Sequence, residues 1–190
     1  MELTEVILVD VNDRPTGTME KMEAHEKGAL HRAFSVFIFN EKGEMLLQQR
    51  AMNKYHSGGL WTNACCSHPL PNEETPMAAK RRLQEELGFE TTIEKIFDFV
   101  YRADFENGLI EYEFDHVFVG TYEGKIHLNK EEVMDVCYKD VQEIQQNLKN
   151  HPQKYTPWFH LAFPKIENWW NERYINEPDS SEFLSKDRVT

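Results

Sequence analysis

One capped helix, set between segments of strand-like sequence, constrains the fold of this 190-residue chain most. Thr75 and Pro76 resemble an N-cap followed by proline at the first helical position, and Gly88 stands where a helix-ending glycine is common. The residues between them are mostly strong helix formers. The apolar positions are Met77, Ala79, Leu83 and Leu87. Because these give an i, i+4 face from Ala79 onward, the sequence predicts a helix with one buried side.

Strand-like segments surround this helix on both sides. The segment AFSVFIF at Ala33–Phe39 is aromatic and β-branched, which predicts a buried strand. The other predicted strands are Glu5–Val11, Met45–Gln49, Thr92–Tyr101 and Ile110–Val119, and the other predicted helices are Asp140–Leu148 and Trp158–Tyr174. Hairpin links with one long crossover favour a single α+β or α/β domain with a mixed sheet. We predict an α+β domain over residues 1–175 and a polar C-terminal tail over 176–190.

Composition and charge limit the classes of function. The chain has 21 Lys and Arg against 33 Asp and Glu, a formal net charge of -12, whereas nucleic-acid and anionic-membrane binding need a basic face. No segment approaches the roughly 20 apolar residues of a membrane span, and no signal peptide is visible. Three cysteines are too few for a disulfide framework. We therefore predict a cytoplasmic protein that binds no nucleic acid and spans no membrane, and we assign no oligomeric state.

Two adjacent carboxylates on the predicted helix are candidates for metal binding. Glu85 and Glu86 are about 100° apart on a helix, so their side chains point in different directions. Arg82 and Glu86 are spaced i, i+4 and can pair. A carboxylate that lines a cleft would suit Mg²⁺ bridging to a diphosphate, whereas the alternative is a solvated helix face with ion pairs.

A short segment ahead of the helix carries a thiol and an imidazole. Cys66 and His68 are two residues apart, so on an extended strand they share a face, and Cys65 faces the other way. A thiol beside a metal or a cation can have its pKa lowered from about 8.5, and could act as a nucleophile, a metal ligand or an acid/base group. The alternative is a small core residue, which is our interpretation of Cys65 and Cys137.

A set of histidines and glutamates forms the third group of candidates. Glu111 and Glu113 share one face of a predicted strand through the period of two. Together with His25, His31 and His68 they would suit a metal such as Zn²⁺ or Mn²⁺. Each histidine taken alone is more often a surface or hydrogen-bonded residue, and spacing does not show that the three converge. The histidines interpreted in that ordinary way are His56, His116, His127, His151 and His160.

The helix and the residues before it resemble the Nudix box, G-x5-E-x7-R-E-U-x-E-E-x-G-U, where U is aliphatic or aromatic. The box would run from Ser67 to Phe89. Its matching positions are Glu73, Arg81, Leu83, Glu85, Glu86, Gly88 and Phe89. Two positions depart, because Ser67 replaces the first glycine and Arg82 replaces the glutamate after the first arginine. The second departure removes one carboxylate from the set with which Nudix hydrolases hold metals and activate water.

The ordered motifs are similar to those of the type I isopentenyl-diphosphate delta-isomerase family, a divergent branch of the Nudix superfamily. They are Lys21–His25, Leu30–Ser35, Trp61–Pro69, Arg81–Gly88, Tyr101–Ala103, Glu111–Glu113 and Thr156–Phe159. The resemblance implies a Nudix-type mixed β-sheet sandwiched by helices. It also implies isomerisation of isopentenyl diphosphate to dimethylallyl diphosphate, by proton transfers through a tertiary carbocation, in isoprenoid biosynthesis.

The same resemblance implies a role for each candidate residue. Cys66 and Glu113 would be acid/base groups on opposite faces of the isoprenoid, Tyr101 would assist near Glu113, and Trp158 would cap the hydrocarbon end. The residues implied to hold the diphosphate are Lys21, Arg50, Lys54 and Arg82. The residues implied to bind one divalent metal, Zn²⁺ or Mn²⁺, are His25, His31, His68, Glu111 and Glu113. Glu86 would join Mg²⁺ together with the diphosphate.

Two other functions remain open at the level of the sequence. A Nudix hydrolase that cleaves a nucleoside or isoprenoid diphosphate would share the fold and the Mg²⁺ site, but would not need Cys66 or Trp158. A non-catalytic Nudix-fold interaction module would need none of the acid/base and ligand residues, so their presence argues against it.

Overall fold

The structure is a computed structural model that describes residues 4–174. Over this range the strands are β1 (Glu5–Val9), β2 (Pro15–Glu20), β3 (His31–Phe39), β4 (Met45–Arg50), β5 (Trp61–Asn63), β6 (Cys65–Ser67), β7 (Ile93–Asp104), β8 (Ile110–Thr121) and β9 (Val133–Lys139). The α-helices are α1 (Lys21–Lys27), α2 (Thr75–Leu87), α3 (Val141–Asn150) and α4 (Pro157–Tyr174). The tail predicted at 176–190 lies outside the described residues. Within 4–174, no helix is both long and apolar enough to cross a membrane.

The strands form one mixed sheet. Its main path runs β2-β1-β3-β4-β5, and β6 and β8 also pair with β3, β7 with β8, and β9 with β4. The β3–β8 pair is parallel and aligns His31 with Glu113, whereas the other pairs are antiparallel. The predicted α+β domain with a mixed sheet is therefore confirmed. The parallel pair matters for function because it sets two of the candidate residues side by side.

Strand β3 divides the core into two layers. Phe34, Val36 and Ile38 pack beneath α2, while Phe37 and Phe39 pack with α3 and α4 on the other face. All five are at most 1% exposed, and full burial of such a side chain stabilises the fold by about 1.5–3 kcal/mol. Because successive side chains of a strand point to opposite faces, helices cover both faces of the sheet.

Helix α2 spans the residues predicted for it. Its N-cap residue and one residue of its buried face differ from the prediction. Its N-cap is Glu74, and Thr75, predicted as the cap, is the first helical residue. Met77 is 61% exposed, and Ala78 occupies the core instead. Met77 lies about 200° around the helix from Ala79, so the two cannot both face the core. The helix ends as predicted at Gly88, whose φ of 71° is the left-handed conformation that glycine adopts most easily.

Several short elements that position the site were not predicted. Helix α1 has only seven residues and is capped at both ends. At its N-terminus the Glu20 carboxylate accepts from the Glu23 N–H, and at its C-terminus Gly28 adopts a left-handed conformation. It is important because it places Lys21 and His25 at i, i+4 on one face. Strand β1 was predicted too long, since it ends at Val9, before a turn.

Candidate active site

One pocket gathers most of the predicted site residues. Those lining it are Lys21, Arg50, Lys54, Cys66, His68, Arg82, Glu86, Tyr101, Glu111, Glu113 and Trp158. The remaining two, His25 and His31, are fully buried beside it and lie with their rings against His68. The structure also lines the pocket with Gln48, Tyr55, Ser67 and Glu132, which the sequence did not single out. Thirteen candidates from eight segments of the chain therefore converge on one place.

Strand pairing explains much of this convergence. In β8 the period of two turns Glu111 and Glu113 to the pocket, and the antiparallel register sets Tyr101 of β7 opposite Glu113. Strand β6 pairs with β3 and presents Cys66 to the pocket. Cys65 is fully buried in the core beneath α2, so the predicted alternation of the two cysteines is observed.

Imidazoles and a carboxylate form a compact cluster at the inner end of the pocket. His25, His31, His68 and Glu113 each offer a ligand atom, and these atoms lie within 4.8 Å of one another. His68 Nε2 is 3.2 Å from His31 Nε2 and 2.8 Å from Glu113 Oε1. Neighbouring ligands of an ion with bonds of about 2.1 Å at right angles are about 3 Å apart. The spacing therefore suits a single divalent metal ion.

The protonation of the rings fits the same interpretation. His25 Nδ1 lies 2.6 Å from the Lys21 carbonyl oxygen and His31 Nδ1 lies 2.8 Å from that of Ala29. Since a carbonyl oxygen only accepts, each Nδ1 donates, and in the neutral ring each Nε2 keeps its lone pair for the cluster. His25 Nε2 is buried and has no hydrogen-bond partner. Metal-binding histidines characteristically donate their other N–H to a carbonyl or carboxylate.

A buried phenol joins the cluster to a second carboxylate. The Tyr101 hydroxyl lies 2.5 Å from Glu113 Oε2 and 2.7 Å from Glu111 Oε2, and its one proton can be donated to either. Burial and the neighbouring carboxylates raise the pKa of Tyr101 well above its usual value. Burial alone would raise the pKa of Glu113 too, but the neighbouring His31 and His68 rings hold it well below its usual value. Glu113 is therefore an ionised carboxylate beside a neutral phenol.

The Cys66 thiol is held by two hydrogen bonds. The Trp158 indole N–H donates to Cys66 Sγ over 3.1 Å, and the thiol donates to Asn63 Oδ1 over 3.1 Å. Cys66 is half-buried. Desolvation by the surrounding protein, followed by the charge of Asp115, raises the pKa of Cys66 to about 12. At neutral pH the thiol is therefore protonated and carries a proton that it can donate.

Cations and carboxylates alternate at the outer end of the pocket. Arg82 Nη2 donates to Glu86 Oε1 over 2.5 Å and lies 3.5 Å from Glu132 Oε2, and Lys54 also pairs with Glu132. Burial, together with the charge of Lys54, lowers the pKa of Lys21. The cations are Lys21, Arg50, Lys54 and Arg82. Each of the four can donate to the oxygens of a bound diphosphate.

The two adjacent carboxylates of α2 take different roles, as their helical angle predicts. Glu86 is 4% exposed, lines the pocket and also accepts from Gln48 Nε2. Glu85 is exposed and pairs with Arg81 and Arg82. Only Glu86 therefore points into the pocket. It pairs with Arg82, the arginine that replaces a glutamate of the Nudix box.

Besides Gln48, Tyr55 and Ser67, sequence reasoning missed three residues of the site. His56 was interpreted as an ordinary surface or hydrogen-bonded histidine. It is 7% exposed, its Nδ1 lies 3.3 Å from Ser57 Oγ, and it also belongs to a second group of possible ligand atoms with His25 and Glu111. Asp115 is buried and accepts from Ser35. It continues the period of two beyond Glu113, so that signal could have found it. For Glu132 and His56, which lie in loops, no periodic signal exists.

Comparison with known proteins identifies the family. Residues 29–159 match the NUDIX domain model, so the chain belongs to the NUDIX family. Within it, the chain belongs with proteins named isopentenyl-diphosphate Delta-isomerase. That of Pectobacterium atrosepticum is 52% identical over 90% of this chain and 95% of its own length. That of Burkholderia multivorans is 48% identical over 86% of this chain and 96% of its own length.

Solved structures of more distant proteins also support the fold. A Deinococcus radiodurans protein superposes with a TM-score of 0.65 at 15% identity, over 77% of this chain and 90% of its own. A MutT protein from Methanosarcina mazei superposes with a TM-score of 0.61 at 20% identity, over 73% and 94%. At such identities the likeness concerns the fold alone, and it confirms the predicted Nudix architecture.

Proposed function

We propose that this chain isomerises isopentenyl diphosphate to dimethylallyl diphosphate in isoprenoid biosynthesis. The reaction adds a proton to one end of a double bond and removes another from the adjacent methylene, through a tertiary carbocation. The observation that carries the proposal is that two groups able to exchange a proton, the Cys66 thiol and the Glu113 carboxylate, line the same pocket. The names of relatives at about half identity point to the same reaction.

Cys66 and Glu113 would act as complementary proton donor and acceptor. One of them holds a proton and the other does not, which is the combination that one protonation and one deprotonation need. Their roles exchange when the reaction runs backwards, so the same pair serves both directions. Tyr101 would pass a proton to or from Glu113 through the hydrogen bond of 2.5 Å.

Trp158 would shield the hydrocarbon end and the carbocation. Its side chain is 3% exposed, and the Arg50 guanidinium lies 5.1 Å from its ring centroid. An indole face stabilises a desolvated cation by on the order of 2 kcal/mol. Exclusion of water also matters, because water would trap the carbocation as an alcohol.

The cations at the outer end would hold the diphosphate. Lys21, Arg50, Lys54 and Arg82 offer donors there, and arginine suits phosphate oxygens because its N–H groups form a planar fork. Glu86 would hold Mg²⁺ that also takes diphosphate oxygens. Arg82 would then pair with the diphosphate rather than with Glu86. Glu132 would keep Lys54 and Arg82 in place.

The inner cluster would hold one further divalent metal, Zn²⁺ or Mn²⁺. The ligands would be His25, His31, His68, Glu111 and Glu113, which supply the nitrogen and oxygen donors these ions prefer. Such an ion withdraws charge from its ligands and so makes a nearby carboxyl or phenol group a stronger acid. Glu113 would thereby stay ionised as the proton acceptor, and Tyr101 is the group placed to become the stronger acid.

Metal removal is the first test of this scheme. We expect about one tightly held divalent ion per chain before substrate is added, and loss of turnover when a strong chelator removes it. Elemental analysis of the purified protein and assays before and after chelation measure both. Turnover that persists in metal-free protein would refute the metal scheme.

Trp158→Phe tests the hydrogen bond to the thiol. Phenylalanine keeps an aromatic wall but removes the N–H that donates to Cys66 Sγ. A hydrogen bond of this kind contributes about 1 kcal/mol, so we expect kcat to fall about fivefold or more, with less change in KM. Steady-state kinetics measure kcat and KM separately. A higher KM with unchanged kcat would instead mean that the indole only binds the substrate.

Product analysis separates isomerisation from hydrolysis. We expect isopentenyl diphosphate and Mg²⁺ to yield dimethylallyl diphosphate without release of inorganic phosphate. Phosphate release without the isomer would favour a Nudix hydrolase. The exposed position of Glu85 argues against the hydrolase, because only one carboxylate of α2 then remains to hold metal in the pocket.

A cytoplasmic location is part of the proposal. Cys65, Cys66 and Cys137 are all free thiols, although the first two are neighbours in sequence. Free thiols of this kind are usual in a reducing compartment.

A further inference from the structure

A second group of ligand atoms adjoins the histidine cluster. His25, His56 and Glu111 each place one ligand atom within 4.8 Å of the others, and all three residues are buried. His25 is shared with the first group, whereas His56 belongs only to the second. His56 lies in the loop between β4 and β5, and none of the sequence motifs assigns it a role.

The ring nitrogen of His56 that lies beside Glu111 has no hydrogen bond. Nε2 lies 2.9 Å from Glu111 Oε1, but not in hydrogen-bonding geometry, and it is buried without a partner. Nδ1 lies 3.3 Å from Ser57 Oγ. His25 Nε2 is also buried without a partner, 4.0 Å from the same Glu111 oxygen. A buried polar atom left unpaired costs about 1–3 kcal/mol, and two such nitrogens beside one carboxylate oxygen suit a common cation.

The surroundings of His56 fix the direction of its ring. The ring is stacked on Phe105, with centroids 4.5 Å apart and an angle of 18° between the planes. It meets Tyr55 and Trp158 edge to face at 4.4 Å and 5.7 Å. Asn107 Nδ2 also donates to the Tyr55 carbonyl oxygen, which ties this loop to the β7–β8 turn. These aromatic contacts therefore hold the His56 ring beside Glu111.

We propose that His56 is a further ligand of the metal ion held by the histidine cluster. His25 Nε2 has one lone pair and can bind one ion only, so the two groups that share it serve a single ion rather than two. His56 would raise the number of protein donors to this ion from five to six. This inference rests on the metal ion proposed above. That ion would act on its ligands through its charge.

Metal titration of the full-length protein tests this assignment. His56→Phe keeps an aromatic ring against Phe105 but removes both nitrogens, and His56→Gln keeps a polar group should the first variant fail to fold. His151→Phe is the matched control, because His151 is exposed and distant in sequence. The probe is Co²⁺, whose Kd, stoichiometry and visible absorption spectrum are measured by competition with a chelator. Circular dichroism of each metal-free variant establishes that it is folded.

We expect both His56 variants to raise the Kd for Co²⁺ at least about 10-fold and to change its visible spectrum. The control should stay within about twofold of the unaltered protein, and the stoichiometry should stay near one. A Kd unchanged in His56→Phe with a superimposable spectrum would overturn the assignment, as would two ions per chain. If the unaltered protein binds no Co²⁺, the metal proposal fails with it. Isomerase activity is measured separately, so failure of the His56 assignment is distinguishable from failure of the proposed function.

Discussion

Cys66→Ala is expected to lower turnover of isopentenyl diphosphate by about 10²–10⁴-fold, the usual contribution of one acid/base group. The variant should fold normally, because Cys66 is half-buried at the pocket rather than packed in the core. It should also keep its metal content, since the Cys66 thiol is not among the clustered ligand atoms. Steady-state assays, thermal unfolding and elemental analysis measure the three properties.

Cys65→Ala is the matched control for this variant. Cys65 is fully buried under α2 on the opposite face of β6, so its loss leaves a small cavity. We expect a loss of about 1 kcal/mol in the free energy of unfolding, with turnover nearly unchanged. An equally severe loss of turnover from both substitutions would show that the two cysteines matter for folding, and would contradict the assignment of Cys66.

Glu113→Gln is expected to lower turnover at least as much as Cys66→Ala does, and to weaken metal binding as well. Glutamine cannot exchange the proton, and it also removes the carboxylate that contacts His31 and His68. We therefore expect turnover to fall by about 10²–10⁴-fold or more, and metal affinity to fall at least about 10-fold. Kinetics and metal titration are both needed, because the loss of metal separates this variant from Cys66→Ala.

Glu94→Gln is the control for the glutamate. Glu94 is also on a strand that pairs with β8, but its side chain is exposed. The control should leave turnover and metal affinity unchanged. Normal metal affinity in Glu113→Gln would contradict its place among the ligands, and normal turnover would contradict its acid/base role.

Local sequence patterns predicted the longest elements, but they missed β2, β5, β6 and β9. The β-branched segment of β3 and the capped helix α2 carry their own signals, and both lie where predicted. Strand β2, by contrast, is mostly exposed and has no alternation of apolar residues. The three-residue strands β5 and β6 exist because neighbouring strands pair with them. Such elements depend on tertiary contacts, so propensity alone does not reveal them.

The candidate site divides in the same way. Glu111 and Glu113 follow from the period of two along β8, and the separation of Glu85 from Glu86 follows from the helical angle. Convergence of the histidines does not follow from spacing, because it depends on α1 and on the parallel pairing of β3 with β8. The motif resemblance supplied that part. Neither the periodic pattern nor the motif resemblance identifies His56. Its loop has no periodic pattern, and its position depends on contacts with three aromatic side chains.

The most direct test of the central claim is isomerisation in deuterated water, followed by nuclear magnetic resonance of the product. Protonation by a group that exchanges with solvent predicts deuterium in the methyl group newly formed in dimethylallyl diphosphate. Cys66→Ala under the same conditions should show almost no label, whereas Cys65→Ala should show nearly as much as the unaltered protein. Phosphate release without any labelled isomer, from the unaltered protein with its metal in place, would contradict the proposed proton transfers.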